Sequence, residues 1–106
     1  MQKKIKILKE LKSYLLSNYG DSVKEVVLFG SQAKGDEKYE SDFDVLIILS
    51  QDYIWRDENK IIDLCYEVGL KYEIIIDVHI ISQNELNSIR GKQPIFLNAI
   101  NSGLYA

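Results

Sequence analysis

Apolar side chains recur along the chain with two different periods, and these periods predict alternating helices and strands. Over residues 2–18 they are spaced three and four positions apart, as on one face of an amphipathic helix, and Gly20 follows as a stop signal. Short continuous apolar runs rich in β-branched residues predict buried strands instead. We predict strands over residues 26–29, 43–49 and 73–81, and helices over residues 2–18, 53–68, 84–90 and 94–101.

This order of elements predicts a small α/β (α+β) fold, with a mixed β-sheet of at least three strands flanked by helices. Gly69 is expected to end the second helix, and Pro94 suits the first turn of the last one. The helix between the second and third strands permits a parallel crossover. A short helix is expected to open at residues 30–34, and a polar loop follows over residues 36–41.

Length and composition fit one globular domain over residues 1–106. The chain is 46% apolar and 27% charged, which excludes a disordered or fibrous protein, and its net charge of -3 gives no basic footprint for nucleic acid. No signal peptide is recognisable, and no apolar run approaches the roughly 20 residues of a membrane span. We therefore expect a cytoplasmic protein whose single cysteine, Cys65, is a buried free thiol.

Carboxylates at the start of the second strand and in the middle of the third form the most informative chemical pattern. Asp42 and Asp44 are two positions apart, so an extended chain places both on one face, where they repel each other unless a cation such as Mg²⁺ lies between them. Asp77 interrupts the apolar third strand, where an unpaired buried carboxylate is costly. On neighbouring strands the three carboxylates could hold two metal ions of the kind used in nucleotidyl transfer.

A glycine–serine turn after the first strand predicts a phosphate site. Gly30 has no Cβ, so its backbone can approach a phosphate closely. The Ser31 hydroxyl and the N–H groups of a following turn are donors toward an anion, and Lys34 lies one turn further on. Together with the carboxylates, this turn predicts a nucleoside triphosphate bound with magnesium.

The glycine–serine turn, followed by the Ser-Asp-x-Asp motif of residues 41–44, resembles the nucleotidyltransferase superfamily typified by DNA polymerase beta. So short a chain most resembles a minimal nucleotidyltransferase, and the resemblance covers most of it and includes the ending at residues 100–105. Gln32 departs from the arginine that is frequent at its position. The resemblance implies the polymerase-beta-like fold, two Mg²⁺ ions on Asp42, Asp44 and Asp77, and nucleotide binding by Gly30, Ser31, Lys34 and Ser41.

The resemblance also implies an activity and a partner. Members transfer a nucleoside monophosphate to a hydroxyl group and release pyrophosphate, and minimal members are commonly antitoxins of a helical HEPN-domain RNase toxin. It implies that this chain transfers AMP from ATP to a tyrosine of such a toxin, in a homo- or hetero-oligomer. Two alternatives stay open: a catalytically silent antitoxin that neutralises its partner by binding, and a small-molecule adenylyltransferase subunit of the antibiotic-modifying type.

His79 lies two positions after Asp77 and so shares its face of the predicted strand. One interpretation is a contact to the nucleotide or to the surroundings of the metal. The other is an ordinary structural histidine, and the sequence by itself favours this second interpretation.

Overall fold

Four strands form one mixed sheet in the computed structural model, which describes residues 2–30, 43–88 and 90–106. The elements are α1 (Gln2–Asn18), β1 (Val23–Phe29), β2 (Phe43–Leu49), α2 (Trp55–Tyr72), β3 (Ile76–Ser82), α3 (Gln83–Leu86), a 3-10 turn (Arg90–Lys92), α4 (Pro94–Ser102) and β4 (Leu104–Tyr105). The sheet order is β3-β2-β1-β4. β2 and β3 are parallel, as the crossover helix permits, and β1 runs antiparallel to β2 and β4.

The two faces of the sheet are covered by different helices. α1 and α2 contribute to the larger core, which includes Leu15, Val45, Ile47 and Ile61. On the opposite face α4 packs over a smaller cluster that includes Leu46, Ile48, Phe96 and Ala99. Because both faces of β2 are covered, its apolar run is continuous, as predicted for a buried strand.

β3 lies at one edge of the sheet, although the sequence predicts it as the strongest strand. It begins at Ile76 rather than at residue 73, and only its last three residues, from Ile80 onward, are buried. Within the part of the chain that the structure describes, the first half of β3 therefore contacts solvent along the edge that faces away from β2.

The prediction that Gly69 ends the second helix is wrong, because α2 continues to Tyr72 and ends where Glu73 adopts the left-handed conformation (φ 55°). The N–H of Ile74 then donates to the carbonyl oxygen of Gly69 over 2.9 Å. A Cβ at position 69 would lie 2.8 Å from the Ile74 carbonyl oxygen. Gly69 therefore lets the chain fold back closely against the helix instead of stopping it.

The chain after β3 is less helical than predicted. Instead of one helix over residues 84–90, the structure has the four-residue α3, which begins with a reciprocal capping box between Ser82 and Glu85, followed by a 3-10 turn. Pro94 occupies the first turn of α4, as predicted. The two-residue β4, which was not predicted, pairs Leu104 and Tyr105 with β1. None of the described helices is long and apolar enough to span a membrane.

Candidate metal centre

Strand register brings two of the predicted carboxylates together. In the parallel pair, Asp44 of β2 lies directly opposite Asp77 of β3, so their side chains project from the same face of the sheet. On its other side, Asp44 lies opposite Phe29, the last residue of β1. The end of β1 and the beginnings of β2 and β3 therefore meet at one point, where two acidic side chains are adjacent.

A third potential ligand completes this group. Ligand atoms of Asp44, Asp77 and His79 all lie within 4.8 Å of one another, and His79 Nε2 is 3.5 Å from Asp77 Oδ2. Two neighbouring carboxylates repel each other, whereas a divalent cation between them is attracted to both. Carboxylate oxygens suit Mg²⁺ and Mn²⁺, so the residues present fit a divalent cation.

The expectation that Asp77 is a buried charge is wrong. Its side chain is 53% exposed because β3 is an edge strand whose first half is solvated. A solvated carboxylate does not need a metal for folding, so the cost of burial no longer argues for a cation here. The feature that favours a cation here is instead the proximity of Asp77 to Asp44 and His79.

Gly30 lies against the carboxylate of Asp44. Its φ of +76° is in the left-handed region, which favours glycine. A Cβ at this position would collide with Asp44 Oδ2 and would lie 3.2 Å from Asp44 Cγ. Glycine is therefore required both by the backbone conformation and by the space that the carboxylate occupies.

Four of the predicted site residues lie outside the residues that the structure describes. Ser31, Lys34, Ser41 and Asp42 all fall between Gly30 and Phe43. Their assignments to phosphate and metal binding stay predictions, and so does the short helix expected at residues 30–34.

Sequence reasoning missed a polar cluster at the opposite, carboxyl end of β3. The hydroxyl of Tyr53 donates to the carbonyl oxygen of Ile80 over 3.1 Å, and the Arg90 guanidinium donates to Glu85 and to the same carbonyl. Burial, together with the nearby Glu85 carboxylate, raises the pKa of Tyr53 to about 12. The cluster ties the segment after β3 to the chain before α2, and the only signal for it in the sequence was the Ser82–Glu85 capping pattern.

Comparisons with known proteins identify a family and related proteins for this chain. Residues 6–98, which include Gly30, Asp44 and Asp77, match a family model described as a nucleotidyltransferase domain. Two relatives come from Methanocaldococcus jannaschii. "Putative protein adenylyltransferase MJ0604" is 38% identical over 77% of this chain and 77% of its own length. "Putative protein adenylyltransferase MJ0141" is 40% identical over 68% of this chain and 73% of its own length.

Solved structures share the fold. A chain in a crystal structure of a toxin-antitoxin with AMP-PNP superposes with a TM-score of 0.63 at 16% identity, over 92% of this chain and 69% of that chain. A chain in a mutant of the toxin-antitoxin MntA-HpeT gives a TM-score of 0.59 at 13% identity, with the same coverage. At these identities the likeness concerns the fold.

Proposed function

Because the chain belongs to the nucleotidyltransferase domain family, we propose that it transfers AMP from ATP to a hydroxyl group of a partner protein, with Mg²⁺ as cofactor. The observation that carries this proposal is the pairing of Asp44 with Asp77 across adjacent parallel strands. The names of the two Methanocaldococcus relatives support a protein as the acceptor. The resemblance set out above favours a tyrosine of a HEPN-type RNase toxin, which would make this chain an antitoxin.

Different residues would bind the cation and the phosphates. Asp44 and Asp77, with Asp42, would hold the divalent cation, which when bound offsets the negative charge of the triphosphate. Gly30 and Ser31, with Lys34 and Ser41, would bind and orient the phosphates. The Asp77 side chain is 53% exposed, which would allow a macromolecular acceptor to approach it.

ATP and the acceptor hydroxyl group are the two reactants that this transfer requires. A bond forms between the acceptor oxygen and the α-phosphorus of ATP, the bond from that phosphorus to the bridging oxygen of the β-phosphate breaks, and pyrophosphate leaves. The proton of the acceptor hydroxyl must leave as well, and the Asp77 carboxylate, which is 53% exposed, would accept it. A tyrosine hydroxyl has an ordinary pKa near ~10, so a base close to it is needed at neutral pH.

Transfer of label from ATP tests the proposal. The protein is incubated with Mg²⁺, ATP labelled at the α-phosphate and the helical protein encoded by the neighbouring reading frame. We expect the partner to gain label and the mass of AMP, whereas ATP labelled at the γ-phosphate leaves it unlabelled. Asp44→Asn and Asp77→Asn should each lower the transfer rate by about 100-fold or more.

Asp63→Asn is the matched control, because Asp63 is an exposed aspartate of α2 that is not among the candidate ligands, and its loss should leave the transfer rate unchanged. Neutralisation of the partner by the Asp44→Asn variant, without labelling by the natural protein, would instead indicate the silent antitoxin. Labelling of a small molecule but of no protein would indicate the small-molecule adenylyltransferase.

A further inference from the structure

We infer that His79 is a ligand of the divalent cation together with Asp44 and Asp77, and that its imidazole gives the site a preference for Mn²⁺ over Mg²⁺. The inference concerns the cation site of the proposed function and therefore rests on it. The sequence favours His79 as an ordinary structural histidine. We replace that interpretation because two carboxylates lie beside the imidazole.

The His79 ring lies on the same face of the sheet as both carboxylates. His79 and Asp77 alternate with Val78 along β3, so both face the side of the sheet that carries Asp44. His79 Nε2 lies 3.5 Å from Asp77 Oδ2, and a ligand atom of each of the three residues lies within 4.8 Å of the other two. In octahedral coordination adjacent ligand atoms are about 3 Å apart, so a small side-chain adjustment is enough to enclose an ion.

A ring contact with Phe29 restricts where the His79 imidazole can lie. The His79 and Phe29 rings have centroids 5.5 Å apart and are tilted by 57°. Phe29 is also the register partner of Asp44, so one aromatic side chain lies beside two of the three ligands. The His79 side chain is 29% exposed, which leaves it less freedom than a surface histidine.

A simple ion pair between His79 and Asp77 explains the arrangement less well. Asp77 is 53% exposed, and solvent-exposed pairs of this kind add little to folding stability. A cation bound between the three side chains would use the proximity of Asp44, Asp77 and His79 that strand register provides.

The chemistry of the donors sets the metal preference. Mg²⁺ binds oxygen ligands almost exclusively, whereas imidazole nitrogen suits transition metals, and Mn²⁺ accepts both carboxylate and imidazole. Two carboxylates and one imidazole therefore favour Mn²⁺. Removing the imidazole should weaken Mn²⁺ binding by about 10-fold or more and should change Mg²⁺ binding by no more than about threefold.

His79 is the only histidine in the sequence, which permits a direct spectroscopic test. Untagged protein is loaded with Mn²⁺ alone, and electron spin-echo envelope modulation is recorded. A coordinated imidazole gives a characteristic nitrogen-14 modulation, and His79 supplies the one imidazole of this chain. The measurement is repeated with inorganic tripolyphosphate, which contains no nitrogen and occupies the place of the nucleotide phosphates.

We expect nitrogen modulation in the natural protein and none in His79→Gln, together with the stated loss of Mn²⁺ affinity in calorimetry. His79→Glu supplies an oxygen ligand in place of the imidazole nitrogen. This variant should recover Mn²⁺ binding, without nitrogen modulation and with a smaller preference for Mn²⁺ over Mg²⁺. Thermal unfolding of both variants checks that they are folded.

Mn²⁺ binding that depends on Asp44 and Asp77 but shows no nitrogen modulation, with or without tripolyphosphate, would overturn the role of His79 and leave the proposed function intact. Loss of AMP transfer in Asp44→Asn is measured separately with Mg²⁺. If that variant keeps full transfer activity, the proposed function fails, whatever the spectroscopy of His79 shows.

Discussion

At the scale of single residues, the candidate site depends on how closely a backbone approaches a carboxylate. Gly30 adopts a left-handed conformation at the end of β1, and the Asp44 carboxylate occupies the space that a side chain at position 30 would need. Gly20 also has a positive φ, of 142°, but a Cβ there would meet nothing within 4 Å. A substitution at Gly20 therefore strains the backbone alone, whereas a substitution at Gly30 strains the backbone and also crowds the Asp44 carboxylate.

Gly30→Ala and Gly20→Ala should both destabilise the protein, by about 1–3 kcal/mol, because each forces an alanine into an unfavourable conformation. Only Gly30→Ala should also weaken Mn²⁺ binding, by about 10-fold or more, since the added methyl group displaces the Asp44 carboxylate. Urea unfolding measures the first effect and calorimetry the second. Equal Mn²⁺ affinities in the two variants would show that Gly30 does not determine the position of Asp44.

At the scale of elements, α2 has apolar side chains on two opposite faces. The face toward the sheet includes Ile61, Cys65 and Val68, which are buried. The outer stripe, which we define as Trp55, Ile62, Tyr66 and Leu70, is 44–65% exposed. Both faces have helical spacing, and the prediction that Cys65 is buried, which the structure confirms, identifies the face toward the sheet.

The adjacent isoleucines of α2 test which face is buried. Ile61→Ala should cost about 2–5 kcal/mol, because Ile61 is fully buried and its truncation leaves a cavity in the larger core. Ile62→Ala should change stability by less than about 1 kcal/mol, because Ile62 is 44% exposed and alanine favours a helix. Urea unfolding of the two variants gives both values, and similar losses would contradict the orientation of α2 described here.

At the scale of the whole molecule, one thiol reports on the integrity of the larger core. Cys65 is completely buried among residues from both helices and the sheet, and burial raises the pKa of its thiol to about 12. In the unfolded chain a cysteine has a pKa near ~8.5. Above that pH the unfolded chain loses the proton while the folded protein keeps it, so global unfolding becomes more favourable as the pH rises.

The predicted slope is a loss of about 1.4 kcal/mol per pH unit once the pH is above the pKa of the unfolded thiol. Cys65→Ala should lack this contribution, while all other groups titrate alike in both proteins. Urea unfolding at intervals between about pH 8.5 and 9.5 compares the two, below the ordinary tyrosine pKa of about 10, where Tyr53 keeps its proton in the folded and the unfolded chain. Parallel stability curves would mean that the thiol is not buried as described.

Much of the fold could be predicted from local patterns, and the errors have local causes. The spans of α1 and β2 were predicted correctly, because a one-sided apolar period and a continuous apolar run are both unambiguous. Gly69 was wrongly predicted as a helix stop, since its role is a close contact with the carbonyl of Ile74, five residues later. β4 was missed because two residues carry no period, and only pairing with β1 makes them a strand.

The sequence by itself determined the family, the faces of the strands and the candidate ligands Asp44 and Asp77, because motif spacing and alternation are properties of a short stretch of chain. Only the tertiary structure decided that β3 lies at the sheet edge, that Asp77 is consequently exposed, and that His79 reaches both carboxylates. Strand order and register arise from packing between residues far apart in the chain. A local pattern records which side of a strand is apolar, but not which strand lies beside it.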